Sequence, residues 1–473
     1  MKRTIALWVI ILIVFTGCGR GENNPGINTE VSNEVYNEVY GSEKEYEGIK
    51  IPDYSKVDEP LNNGDEIETN INDGELSEDK KLTEDAENKQ ITESDVIIAP
   101  EEIEVDKEKN NYTEITLRNF ETKFPEDVVL NIKYDKYQIP LDYILVMSDG
   151  VNIREKPSTS AKVIGKAYYF EKVNLISEVQ GEFLDKYGTD KWYKVALKVE
   201  DKVLEGYIFS NLAQPRNFQF DKMFEAVKKA KSEIDTNTTA YITNYKNRVG
   251  TAPLYNGNTK DKFGIQRYQA APAYYEPSLS SEFRYISDGT LISVLAETEN
   301  FYKVRALSFD GEYYVPKKYV SFRESIEALT KVIVVDRKNQ NEGVFELIDG
   351  SWNLISYTYA TTGENAKYKL PTDLGYYMAI EKVSRFSYLS DTTKQIAGYA
   401  PYAIRFNGGA YIHGVPVDYV FKNGTRVDPG MQEYLYTIGT VPKSHKCVRN
   451  YTSHAKFLYD WVEIGKSIVV IIE

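Results

Sequence analysis

The sequence predicts a mainly β protein in which two small barrels precede a larger, mostly β domain, all behind a disordered leader. Three observations carry this. From about Asp142 the chain runs in short alternating apolar stretches separated by turn residues, the pattern of half-buried strands. Two of these stretches, beginning near Val151 and Tyr274, look alike. Upstream, residues 19–110 hold 27 acidic and 9 basic side chains, four Tyr and neither Phe nor Trp. Such a segment cannot bury enough apolar surface to offset the entropy of ordering it. With 473 residues the chain also exceeds what one core usually organises.

The leader reads in two parts. Met1–Arg3 are a short positive region, and Thr4–Thr16 an apolar run too short for a membrane span of about 20 residues, so residues 1–17 read as an export signal. Phe15-Thr16-Gly17-Cys18 resembles a bacterial lipobox, which implies a lipid on Cys18. The expected location is extracytoplasmic, anchored to the cell membrane through that lipid and facing the cell wall. Residues 18–110 then form an acidic tether, spanning roughly 50 Å as a flexible coil and more when its charges repel. They absorb the net charge of −14 and leave residues 111–473 close to neutral. No basic field remains for a nucleic acid, so no nucleic-acid partner is expected. Two cysteines and three histidines exclude a disulfide framework and a Cys-rich zinc module.

The first repeated stretch has Val151-Asn-Ile-Arg-Glu-Lys-Pro157-Ser, then Trp192-Tyr-Lys-Val195 and Gly206-Tyr-Ile-Phe-Ser. The second has Tyr274-Tyr-Glu-Pro277-Ser, then Phe301-Tyr-Lys-Val304 and Tyr313-Tyr-Val. The first resembles bacterial SH3-type domains and the second does so more weakly, with bounds of 140–216 and 239–325. The resemblance implies binding to the cell wall; spacer barrels are the alternative. Between them, over 217–238, Phe220, Met223, Phe224, Val227 and Ile234 recur at helical spacing, which predicts a helix joining the two barrels.

Residues 331–473 begin with strand-like Lys331–Asp336 and Gly343–Ile348. Further strand candidates are Trp352–Thr361, Gly375–Lys382, Tyr402–Phe406, Ala410–His413 and a closing buried strand, Ser467–Ile472. One helix is marked by Phe457, Leu458, Trp461 and Val462, with Ser453 as its expected cap and Gly465 as its stop.

The chemistry gathers around Cys447. A thiol with the ordinary pKa near 8.5 is mostly protonated at neutral pH, so its use as a nucleophile calls for a nearby base or cation. Cys447 sits in Ser444-His445-Lys446-Cys447-Val448-Arg449, and His413 ends the run Tyr411-Ile412-His413-Gly414. The third histidine, His454, is expected at the start of the last helix or in solvent, apart from the chemistry. One Cys and two His lack a fourth ligand at metal spacing, so no metal site is read. A buried structural cysteine is the alternative.

Ile412-His413-Gly414 and Ser444-His445-Lys446-Cys447-Val448-Arg449 resemble the marks of the L,D-transpeptidase family, with Thr362-Gly363 and Pro371-Thr372-Asp373-Leu374-Gly375 as a partial upstream counterpart. The resemblance implies a mostly β catalytic domain over 331–473 that acts on peptidoglycan stem peptides without a cofactor. It makes Cys447 the acylated nucleophile, His413 the general base and His445 its support. Gly414, Ser444, Lys446 and Arg449 then serve the oxyanion pocket, the loop or the substrate. Three departures stand out: Lys446 where the family has Gly, Asp373 and Leu374 in the upstream element, and a 34-residue step from His413 to Cys447. The last makes Val415–Lys443 an expected lid or substrate loop. The alternatives are a catalytically degenerate wall-binding lipoprotein and a cysteine peptidase of another fold.

Overall fold

The computed structural model describes residues 114–199, 202–367, 369–390, 395–422 and 424–473. The signal, Cys18 and the acidic tether lie outside the described residues. The fold is mainly β, and among the described residues no helix is long and apolar enough to cross a membrane.

The first barrel orders its strands as Val163–Ala167, Val151–Arg154, Lys202–Phe209, Thr189–Val199, Lys172–Leu184, Asp142–Val146 and Ala213–Asn217. The second orders Phe283–Ser287, Ala270–Tyr274, Glu312–Pro316, Phe301–Ala306, Leu291–Glu297, Thr239–Ile242 and Val320–Ser321. Numbered within each copy, the two orders are identical. The shared Tyr-Lys-Val elements occupy equivalent strands, and Trp192 and Phe301 at their heads are both buried. Even the proline turns agree, with Ser158 and Ser160 hydroxyls 2.9 Å apart and Ser278 and Ser280 hydroxyls 2.8 Å apart. The weaker copy is a repeat in topology as well as in sequence.

The C-terminal domain is built on a six-stranded sheet ordered Val128–Leu130, Ser351–Tyr359, Asn341–Ile348, Lys331–Asp336, Ser467–Ile472 and Gly375–Met378. Lys331–Asp336 and Ser467–Ile472 pair in parallel at its centre. Their uninterrupted apolar composition follows, because both faces are covered. Ile333, Val335, Val469 and Ile471 face a second sheet of Glu381–Leu389, Ile396–Asn407, Ala410–His413 and Val448–Arg449. Val332, Val334, Ile468 and Val470 face helix α1 (Phe220–Thr236) through Phe220, Met223, Phe224 and Val227.

That last contact corrects one expectation. Residues 217–238 form the helix read from their spacing, but its apolar stripe lies on the six-stranded sheet instead of serving only as a link between barrels. The segment before residue 140, assigned to no domain from sequence, is also structural. Ile115–Asn119 pairs with Lys172–Leu184 of the first barrel, and Val128–Leu130 adds a parallel edge strand to the six-stranded sheet. Neither three-to-five-residue strand carries enough pattern to stand out alone.

Helix α2 (Thr452–Trp461) starts without a side-chain cap of its own. Ser453, the expected cap, instead donates its amide to Glu433 Oε2 at 2.9 Å, and Thr452 donates its amide to the Glu433 carbonyl at 3.0 Å. A residue 20 positions upstream thus satisfies the orphan donors, which is invisible to a local capping rule. His454 also differs from expectation. It is fully buried, with Nδ1 3.1 Å from Glu342 Oε1 and Nε2 2.8 Å from Ser356 Oγ.

Candidate active site

Strand Ala410–His413 lies parallel to Val448–Arg449, pairing Ile412 with Val448 and His413 with Arg449. This register brings Cys447 beside Tyr411, whose amide N–H donates to Cys447 Sγ at 3.3 Å. The sulfur is also 3.9 Å from the Gly409 carbonyl oxygen, in the turn that precedes the strand. His413 stands two residues along from Tyr411 and therefore on the same side of the strand. Cys447 and His413 are both fully buried.

The His413 ring is held by its Nδ1, which is 2.6 Å from the Gly414 carbonyl oxygen. A carbonyl only accepts, so Nδ1 carries the proton and Nε2 keeps its lone pair. Nε2 is buried and has no hydrogen-bond partner among the described residues. Gly414 is needed for close approach: a Cβ there would come 2.9 Å from Thr452 Oγ1 and 3.0 Å from Thr452 Cα.

Burial pushes the His413 pKa down to about 3, against the opposing hydrogen bond to Gly414 and aided by the Arg449 charge. Burial and the adjacent Lys446 push His445 down to about 4. Both folded values lie below the ordinary 6.5, so the folded state binds fewer protons than the unfolded chain in between. The stability this gives is present above about pH 6.5 and drains as pH falls towards 3. Urea unfolding is expected to show stability falling between pH 7 and 4, with a shallower fall in His413→Gln. An identical fall in that variant would contradict the assignment.

The Cys447 loop is braced from several sides. Ser444 Oγ donates to the Cys447 carbonyl at 2.5 Å, and Thr372 Oγ1 accepts the Gly363 amide and donates to the Lys446 carbonyl, both at 2.8 Å. A Cβ on Gly363 would meet Lys446 N at 2.6 Å. Arg449 exchanges two backbone hydrogen bonds with Thr361, at 2.8 and 2.9 Å, and its side chain is buried. The backbone amides of Lys446 and Cys447 are both engaged within the fold. Lys446 N–H donates to the Leu370 carbonyl and Cys447 N–H to the His445 carbonyl, each at 2.9 Å.

The Cys447–His445 bond spans one residue and forms a γ-turn around Lys446, whose φ is +64°. Glycine suits this position, and a side chain here costs on the order of 1 kcal/mol. The structure offsets that cost, because Lys446 Nζ lies 2.7 Å from Asp373 Oδ2, which also accepts from Asn407 Nδ2 at 3.0 Å. Two departures from the family pattern are therefore partners of each other. The ammonium is neutralised by Asp373 instead of being held in reserve for the thiol, so Lys446→Gly is expected to leave the pH dependence of Cys447 alkylation nearly unchanged. A rise of a full unit in the apparent pKa would show that the charge does act on the sulfur.

Val415–Lys443 divides in two. An exposed hairpin, Val420–Lys422 with Thr425–Val427, reaches outward, while Thr437–Thr440 is buried. Arg216 of the first barrel donates to the Gly439 carbonyl at 3.2 Å, so half of the expected lid is a fixed joint. Beside the Cys447 loop lies a cleft bounded on one side by Leu370, the Asn407–Gly409 turn, His445 and Lys446. No group of three or more His, Cys, Asp or Glu that could hold a metal ion occurs among the described residues. Sequence reasoning missed Tyr411, Gly409 and Thr372 as site residues. Thr372 and Tyr411 lay inside runs already singled out, while Tyr411 and Gly409 act through backbone atoms.

Residues 330–471 match a family model described as the L,D-transpeptidase catalytic domain, and residues 149–213 one described as the bacterial SH3 domain. The chain therefore carries an L,D-transpeptidase-type catalytic domain and a bacterial SH3 domain. No curated protein matches the chain. Among solved structures, an L,D-transpeptidase from Mycobacterium smegmatis is similar at 16% identity over 43% of this chain and 99% of that one, with a TM-score of 0.24. A fused Zn-dependent amidase/peptidase/peptidoglycan-binding domain-containing protein from Clostridium acetobutylicum aligns at 21% identity over 30% of this chain, with a TM-score of 0.21. The match spans 51% of that protein's length. At these scores no functional argument passes from those structures to this chain.

Proposed function

We propose that the protein forms peptidoglycan cross-links by acyl transfer through Cys447. The observation that carries this is the fixed tautomer of His413: Nδ1 is committed to Gly414, which leaves Nε2 as a lone-pair acceptor on the strand beside the sulfur. His413 takes the thiol proton, and the sulfur attacks the carbonyl of the third residue of a stem peptide. An S–C bond forms, the C–N bond to the terminal D-amino acid breaks, and the imidazolium returns its proton to the leaving amine. A second stem's amine then resolves the thioester, restoring the thiol; water in its place gives L,D-carboxypeptidase activity. The Tyr411 N–H at the sulfur supports the thiolate. His445, Gly414 and Ser444 shape the site, Lys446 is balanced by Asp373, and Arg449 braces the strand behind it. The pairing of Lys446 with Asp373 weakens the degenerate reading, since the unusual residue is accommodated.

The same reading places the protein on the cell membrane through a lipid on Cys18, with its SH3-like domains towards the wall. Cys18→Ser is expected to release it from membranes or leave the precursor uncleaved, and unchanged membrane association would remove the anchor. The central test is intact-mass analysis of the protein mixed with a tetrapeptide stem. The expected result is an adduct of the tripeptide acyl mass, mapped to Cys447 and accompanied by release of the D-amino acid. An adduct mapped elsewhere overturns the mechanism.

A further inference from the structure

The second barrel is fastened to the catalytic domain at the turn next to the sulfur. Asp288, at the end of a barrel strand, is buried and pairs with Arg405 Nη1 at 2.8 Å. Its carboxylate also accepts the Asn244 amide at 2.6 Å and the Gly408 amide at 3.2 Å. Arg405 stacks on the ring of Tyr245 at 4.3 Å, so the joint is polar, buried and two-sided. Gly289, at φ +83°, passes so close that a Cβ would sit 1.9 Å from the Phe406 carbonyl oxygen. Its own carbonyl accepts the Met378 amide at 2.9 Å. Asp288 thus holds Gly408, and Gly409 beside it faces Cys447 Sγ. A spacer or a freely hung wall-binding module needs no such attachment.

The cleft beside the Cys447 loop is closed on its far side by the barrel residues Gln266, Tyr268, Gln269 and Ser287. These are neutral donors and acceptors, opposite His445 and Lys446 on the catalytic side. We propose that the second barrel is a wall of the substrate cleft, and that the cleft binds a stem peptide through its backbone amides and carboxylate. The proposal rests on the transpeptidase reading above, and it gives the two barrels different tasks. Amide-rich walls suit a peptide, because each buried amide of the ligand needs a partner. Two sources share this chemistry, the acyl-donating stem and the amine-donating stem.

The test uses the full chain with Ser287→Trp, which fills the cleft from the barrel side. Leu279→Trp, on an exposed loop of the same barrel, is the control. KM is measured for a tetrapeptide donor with water as acceptor, and for an amine-bearing stem at saturating donor. One of the two should rise roughly tenfold or more, with a smaller change in kcat, and Leu279→Trp should change neither. A rise in the donor KM assigns the cleft to the acyl donor, and a rise in the acceptor KM assigns it to the amine stem. Both values within about twofold of the original overturn the proposal. If Ser287→Trp fails to fold, Gln266→Ala decides by the same measurements. If the unmodified protein shows no turnover, the transpeptidase reading fails instead. Calorimetric binding of the tetrapeptide, retained in the original and lost in Ser287→Trp, would then still uphold the cleft.

Discussion

Cys447→Ala is expected to abolish both acyl-adduct formation and release of the terminal D-amino acid from a tetrapeptide stem. The methyl group leaves no nucleophile, and the loop that carries it is held by bonds alanine does not disturb. Ser444 still reaches the residue's carbonyl, and its amide still reaches His445. Substrate binding should therefore persist while chemistry is lost, which calorimetry with the tetrapeptide can show. His413→Ala is expected to cut turnover by roughly 10²–10⁴-fold, the range for losing a positioned general base. Activity should recover partly at high pH, where the thiolate forms without help. His413→Gln tests the tautomer argument further. Its amide can occupy similar space but offers no titratable lone pair, so it should be as impaired as alanine. An adduct surviving in Cys447→Ala, or turnover in His413→Ala within a few-fold of the original, would end this division of roles.

Much of this arrangement was legible in the sequence because its elements are patterned by their own burial. Lys331–Asp336 and Ser467–Ile472 are apolar throughout because each is covered on both faces, and both run between the limits that their composition suggests. Ala410–His413 and the Cys447 block were legible through chemistry-bearing residues at short spacing, and the parallel register brings them together. What the sequence hid depends on partners far along the chain. The cap on α2 comes from Glu433, the brace on Gly408 from Asp288 in another domain, and the partner of Lys446 from Asp373, which on its own reads as a flaw in a motif. Helix α1 shows the same limit. Its stripe announces a buried face, but nothing in the stripe says which sheet will cover it.

His454 illustrates how far context can move a residue, and it gives the second large expected effect. A histidine at the start of a helix, near lysine and aspartate, reads as a surface residue, whereas here it closes a buried polar chain. Asn450 Nδ2 donates to Glu342 Oε1 at 3.0 Å, His454 Nδ1 meets the same oxygen at 3.1 Å, and Nε2 meets Ser356 Oγ at 2.8 Å. Glu342 and His454 are both fully buried, and the imidazole packs edge-on against Tyr134 at 4.7 Å. His454→Ala removes the ring 3.1 Å from Glu342 Oε1, takes from Ser356 Oγ its contact with Nε2 and opens a hole beside both. Truncating a buried ring to alanine and leaving a buried hydroxyl unpaired costs about 2–5 kcal/mol. The expected result is a large loss of stability in urea unfolding, with the folded fraction still releasing D-amino acid, because the link from His454 towards the site is indirect, through Glu342 and Asn450, whose amide donates to the His413 carbonyl at 2.9 Å. His454→Gln should recover part of the loss by refilling part of the hole and offering Ser356 Oγ a partner. A cost below about 1 kcal/mol for the alanine variant would mean that Ser356 is satisfied without the ring, and a loss of turnover in fully folded protein would make His454 a positioning residue for the base.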